Sequence, residues 1–105
     1  MPLTRAFVQQ EQLDEAINAV RPLLGPDVVS LQYALGDDWS GDPSIFFRIV
    51  LSERASQRDQ MFRSTNELET TLVQHIQPYE RWGVLHYFSY RSPSEHARLK
   101  DAQWP

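Results

Sequence analysis

Residues 28–51 read Val28-Val29-Ser30-Leu31-Gln32-Tyr33-Ala34-Leu35-Gly36-Asp37-Asp38-Trp39-Ser40-Gly41-Asp42-Pro43-Ser44-Ile45-Phe46-Phe47-Arg48-Ile49-Val50-Leu51. The first part alternates. Val29, Leu31, Tyr33 and Leu35 point one way, while Ser30, Gln32 and Ala34 point the other, which is the period of a strand with one buried face. Residues 44–51 are almost continuously apolar and rich in β-branched and aromatic side chains. They predict a central strand covered on both faces. Only residues 36–43 join the two runs. A parallel crossover needs a dozen residues or more, so the spacing predicts an antiparallel pair closed by a wide loop.

Helical patterns lie on both sides of this pair. Leu13, Ile17, Val20 and Leu24 follow one another at four, three and four residues, which predicts an amphipathic helix over 8–24. Pro22 cannot donate to the carbonyl four residues back, so the last turn should kink or fray. Gly25-Pro26 then stops the helix. Met61, Thr65, Leu68, Leu72 and Ile76 repeat at four, three, four and four residues, predicting a second helix over 57–77. Asp59 suits the start of its dipole, and Pro78 marks its end. Residues 84–90 read as a third strand between Gly83 and Pro93. Residues 94–99 suit a short terminal helix. Residues 1–7 and 100–105 are expected as loosely ordered ends, apart from Trp104. The order is α-β-β-α-β with a short C-terminal helix. It defines a single α+β domain over 1–105, a two-layer sandwich with both helices on one face of a small sheet.

Composition narrows the function. The chain has 105 residues, 41% of them hydrophobic, enough for one modest core and too few for two. A net charge of -4 argues against a nucleic-acid binder, which needs a concentrated basic face. Arg54, Arg58 and Arg63 form the one local basic group and read as a solvated helix face. Absence of cysteine excludes disulfides, thiol nucleophiles and Cys-ligated metals, and fits a reducing compartment. No signal-peptide pattern follows Met1, and no apolar run approaches the ~18 residues of a membrane span. A cytoplasmic protein without a membrane association is the expectation.

Residues 36–43 are the candidate site. Asp37, Asp38 and Asp42 could gather a divalent cation, but the spacing matches no calcium loop, and Gly, Asp, Ser and Pro are what polar turns use. Asp37, Asp38, Trp39, Ser40, Gly41 and Asp42 are therefore candidate binding residues, with no metal expected. The ring of Trp39 either folds back onto the core or waits for a partner; core burial is the expectation. His75, His86 and His96 are the only histidines, and no two stand three or four residues apart, so no helical metal pair exists. No Gly-x-Ser-x-Gly turn, Walker loop or dinucleotide fingerprint is present. Tyr87, Phe88 and Tyr90 mark the third strand as a candidate interface edge, serving a homodimer or a protein partner.

The stretch over roughly 8–95 resembles the minimal nucleotidyltransferase fold in its pattern. That fold runs helix, strand, glycine-serine turn, a strand with two alternating aspartates, helix, and a third strand with another carboxylate. Val28 to Leu35 followed by Gly36 stands at its first strand and turn. Ser44-Ile45-Phe46-Phe47, leading into Arg48-Ile49-Val50-Leu51, stands at its second strand, and Leu85-His86-Tyr87-Phe88 at its third. The signature departs: Asp37 follows Gly36, the two aspartate positions fall on Ile45 and Phe47, and the third strand has no acid. Two-metal nucleotidyl transfer needs those carboxylates. The resemblance thus implies an inactive version, without catalytic residues or cofactor. Its role would be a non-catalytic component of a partner complex, such as a toxin–antitoxin pair. A nucleotide- or metal-dependent enzyme using the 36–43 loop is the alternative. A second resemblance is to BolA- and KH-like folds, which share the α-β-β-α-β order and imply a nucleic-acid-binding module. Ser52 and Leu85-His86 are faintly similar to BolA, but the KH Gly-x-x-Gly loop and the BolA Arg-His-Arg motif are absent.

Overall fold

The second strand is the middle of the sheet. In the computed structural model, which describes residues 4–99, β1 (Val28–Asp37) and β2 (Pro43–Leu51) pair antiparallel, with Tyr33 opposite Phe47 and Asp37 opposite Pro43. β3 (Leu85–Arg91) pairs with the other edge of β2 in parallel, with Phe47 opposite Phe88. The strand order is β1-β2-β3. The tight hairpin and the helical crossover between parallel strands follow from their lengths. Five residues close the first connection, and 33 span the second.

Strand alternation sorts the side chains into two faces. Leu31, Tyr33 and Leu35 of β1, Ile45, Phe47, Ile49 and Leu51 of β2, and Phe88 and Tyr90 of β3 face the main helices. Against them pack Leu13, Ile17 and Val20 of α2 (Gln10–Val20) and Leu68, Leu72 and Ile76 of α3 (Arg58–Ile76). Phe47, Ile45, Leu13, Ile17 and Leu72 are fully buried, each worth about 1.5–3 kcal/mol relative to exposure. The fold is therefore mixed α+β, as the periodicities predict.

Several details differ from the sequence reading. The first helical region is not one helix over 8–24. It is α1 (Arg5–Val8), a break at Gln9, α2, and a 3₁₀ turn over Arg21–Leu23 that carries Pro22 in its first turn. Pro22 has no amide to continue an α-helix, and the tighter turn takes over. Arg5, Ala6 and Phe7, expected within a loose end, belong to α1, and Ala6 is fully buried in the core. The remaining expected loose ends, 1–3 and 100–105 with Trp104, lie outside the described residues. Val29 is exposed rather than inward, because a bulge shifts the register between Val28 and Ser30 and turns Val28 toward the core instead.

Pro78 ends α3 and also opens a further helix, α4 (Pro78–Trp82). Gln77 takes a left-handed conformation, φ 51°, which turns the chain, and proline at the first helical position has no amide to lose. Gly83 closes α4 at φ 69°, where a Cβ would press on Thr4 at 3.3 Å. The Arg5 guanidinium lies 4.2 Å over the ring of buried Trp82 and ties α1 to α4. The terminal helix α5 (Pro93–Leu99) begins with a reciprocal capping box: Ser92 Oγ accepts from Glu95 N, and Glu95 Oε1 accepts from Ser92 N, both at 3.2 Å.

The face of β2 away from α2 and α3 is only partly covered. Val50 is buried there, but Phe46 and Arg48 stay half-exposed. The sheet is thus helical on one side and largely open on the other.

Candidate functional site

The loop 38–42 is built around one carboxylate. Asp38 Oδ1 accepts the backbone amides of Ser40 at 2.9 Å and Asp42 at 3.0 Å. The main chain closes on itself, Asp38 N donating to Asp42 O at 2.9 Å and Gly41 N to Asp38 O at 3.0 Å. Gly41 supplies the positive φ, 83°, that this closure needs. Ser44 Oγ, fully buried, donates to Asp42 O and anchors the loop to β2. Such a loop, made of Asx turns, is what the polar-turn reading of Asp37 to Asp42 expects.

The second oxygen of Asp38 reaches across the sheet. Tyr87 donates its hydroxyl to Asp38 Oδ2 at 2.7 Å, although the two residues stand far apart in sequence. That hydroxyl, with the loop amides behind it, holds the Asp38 carboxyl below the usual carboxylate range. The same bond, with some burial, holds the Tyr87 phenol above its ordinary value. The tyrosine ring then serves as a platform. Phe46 stacks beside it at 5.4 Å, and Trp39 leans on it at 5.1 Å and 57°. Gly36 and Ala34 flank Phe46 on β1 without covering it, since a Cβ on Gly36 would only just touch the Phe46 ring.

Trp39 corrects the expectation of core burial. It is 83% exposed and joins an aromatic row on the open face. The loop is too short to carry the ring over the end of the sheet to the helical side, and Tyr87 offers a ring on the near side. Asp37, Ser40, Gly41 and Asp42 are also exposed around it. The surface is acidic at its rim and aromatic at its centre.

The candidate edge residues do not form one surface. Tyr87 belongs to the open face. Phe88 and Tyr90 point to the helical side, where Phe88 stacks on Phe47 at 5.3 Å and Tyr90 donates to Glu69 Oε2 at 2.6 Å. Burial first, and then the Glu69 contact, pushes the Tyr90 phenol far up. Alternation along β3 makes this division unavoidable.

The positions that would carry nucleotidyltransferase aspartates, Ile45 and Phe47, are 0% and 1% exposed and lie in the core beneath the helices. Among the described residues no group of three or more His, Asp or Glu side chains could hold a metal ion. His75 contacts the Thr71 carbonyl within α3, His86 is exposed beside Phe88, and His96 sits on α5, so the histidines do not converge. Arg58 and Arg63 are exposed, and Arg54 pairs with Asp27 at 2.9 Å. No helix among the described residues is long and apolar enough to cross a membrane.

Two arrangements had no sequence signal of their own. One is the Asp38–Tyr87–Trp39–Phe46 cluster, assembled from the loop and two strands. The other is a polar chain joining α2 to β1. Tyr33 donates to Asp14 at 3.1 Å, Asn18 reaches Asp14 at 3.3 Å, Arg21 reaches Asn18 at 2.8 Å, and Arg21 Nη1 donates to Leu31 O at 2.6 Å. The first of these is an exposed aromatic cluster on the open face of the sheet. No protein-family model, curated protein or solved structure matches it.

Proposed function

We propose that this chain is a non-catalytic protein-interaction domain that holds a partner protein on the Trp39–Tyr87–Phe46 row and the 36–43 loop. The observation that carries the reading is the posture of Trp39. A tryptophan 83% exposed, yet seated on a tyrosine fixed by Asp38, is a preformed apolar anchor. Exposed aromatic anchors dominate binding energy at protein interfaces. The acidic rim of Asp37 and Asp42 selects a partner segment bearing arginine or lysine, which also suits the faces of Trp39 and Tyr87. The same rim repels phosphate, which speaks against nucleic acid despite the aromatic row. The burial of Ile45 and Phe47 supports the inactive form of the nucleotidyltransferase-like pattern, and the resemblance in turn implies a role within a partner complex such as a toxin–antitoxin pair.

The test uses the tagged chain purified from its native cell. A stoichiometric protein should accompany the wild type and Val29→Ala, a control altered at another exposed apolar position. Trp39→Ala should weaken that association by about 2 kcal/mol or more, roughly thirtyfold, with thermal unfolding nearly unchanged. Single-stranded oligonucleotides bound through Trp39 would replace the protein partner with nucleic acid. Turnover of labelled ATP, CTP, GTP or UTP with Mg²⁺ or Mn²⁺, abolished by changing Asp37 or Asp38, would overturn the non-catalytic reading.

A further inference from the structure

A cleft lies at the opposite end of the β1–β2 hairpin from Trp39, where the 3₁₀ turn after α2 leads into β1. Its hub is Asp27. The Asp27 carbonyl accepts Ser52 N at 2.7 Å, Oδ1 accepts the Ser52 hydroxyl at 2.8 Å, and Oδ2 accepts Arg54 Nη2 at 2.9 Å. These bonds fix Asp27 between two chambers. The inner chamber, about 180 Å³, has Leu24, Val28, Leu51 and Leu68 as its apolar lining, with Thr71 beside them. The outer chamber, about 130 Å³, is lined by Arg54, Gln60 and Arg63. Asp27, Ser64 and Glu67 line both, so the chambers adjoin there.

The chemistry changes in order along this cleft. Apolar carbon comes first, then two carboxylates and a hydroxyl, then two guanidinium groups and an amide. One face of α3 presents all three zones: Gln60, Arg63, Ser64, Glu67, Leu68 and Thr71 follow at helical spacing. Arg63 and Glu67 stand four residues apart, a spacing at which opposite charges commonly pair. Among the described residues neither has an ion-pair partner. Arg54 holds Asp27 through one nitrogen, and its guanidinium keeps further N–H donors.

We propose that this cleft binds a free α-amino acid with an apolar side chain of leucine, methionine or phenylalanine size. The three substituents of such an α-carbon match the three zones. The side chain enters the inner chamber, the ammonium sits among Asp27, Ser64 and Glu67, and the carboxylate meets Arg54 and Arg63. A cavity of roughly 150 Å³ accepts benzene, so the inner chamber has room for one such side chain. Other small ligands match fewer zones. A phosphate would face the carboxylates of Asp27 and Glu67, and an amine without a carboxylate would leave Arg63 unmatched. The site is separate from the Trp39 row and does not rest on the function proposed for it.

Titration of the purified chain with L-leucine, L-methionine and L-phenylalanine, followed by amide chemical shifts, tests this. The shifts should saturate in the low millimolar range or below and centre on residues 24–28 and 60–71, with the Trp39 indole unmoved. Glu67→Gln and Arg63→Gln, both at exposed positions of α3, should keep the unfolding midpoint. Each should weaken L-leucine binding by about tenfold or more. Isoamylamine, which lacks the carboxylate, and isocaproate, which lacks the ammonium, should bind the wild type more weakly than L-leucine by a similar factor. No saturable shift with any of the three amino acids, binding indifferent to Glu67→Gln or to Arg63→Gln, isoamylamine or isocaproate equal to L-leucine, or inorganic phosphate bound more tightly than L-leucine would each overturn the proposal.

Discussion

Asp38 uses both carboxylate oxygens, one for the amides of Ser40 and Asp42 and one for the Tyr87 hydroxyl. A carboxyl held below its ordinary value of 3.8 stabilises the fold above that pH, and the stabilisation fades as pH falls through the lower folded value. The acid limb of the stability curve should therefore flatten in Asp38→Ala. In that variant the amides of Ser40 and Asp42 should exchange faster, and Tyr87 should ionise nearer 10.0. Unchanged exchange at both amides would mean that the main-chain bonds alone hold the loop. Gly41 offers a cleaner measurement. Nothing lies within 4 Å of a Cβ placed there, so Gly41→Ala meets only the penalty of φ 83°, about 1 kcal/mol by chemical denaturation. The turn itself was legible from Gly, Asp, Ser and Pro. The placement of Trp39 was not, because it depends on Tyr87, a residue brought near only by the β2–β3 pairing.

Elements were legible where one periodicity ran unbroken. The antiparallel pairing of β1 with β2 followed from the shortness of 36–43, and α3 from its apolar stripe. The break at Gln9 has no glycine or proline to announce it, and the bulge that turns Val29 outward leaves the alternation of letters intact. α4 was hidden because Pro78 reads equally well as a stop and as a first helical residue. The start of α5 was written in the chain as Ser92-Pro93-Ser94-Glu95, a serine and a glutamate at capping-box spacing. This box holds α5 at the end of the open face, where Val50 is buried and Ser94 bonds Glu53. Ser92→Ala should cost about 1 kcal/mol in a denaturant titration. It should also raise exchange at Glu95, while leaving the amides of α2 untouched. A loss spread over both helices would show that α5 belongs to the main cooperative core.

The whole molecule is a sheet with one dry face and one largely open face, and its tyrosines report on both. Leu72, fully buried in the dry layer, should cost about 2–5 kcal/mol when cut to alanine, whereas Phe62, 82% exposed, should change stability by no more than about 0.5 kcal/mol. Tyr33, Tyr87 and Tyr90 all have phenols held above 10.0: Tyr33 and Tyr90 chiefly by burial, and Tyr87 chiefly by the Asp38 bond. Each sits at a different junction. Tyr33 joins β1 to α2, Tyr87 joins β3 to the hairpin loop, and Tyr90 joins β3 to α3. A raised folded-state value means that the neutral phenol is favoured by the fold. The stabilisation is complete below pH 10.0 and is lost as pH climbs toward the folded values. Tyr90, which joins the sheet to α3 from the buried side, should therefore resist ionisation until the layers separate. In an alkaline titration, its share of the phenolate absorbance should rise together with the loss of helical circular dichroism, above pH 10. Tyr90→Phe should remove part of the late absorbance and shift alkaline unfolding to higher pH. Phenolate appearing fully near 10.0, with the helical signal intact, would show that the junctions are open to solvent and that the sheet is not clamped in this way.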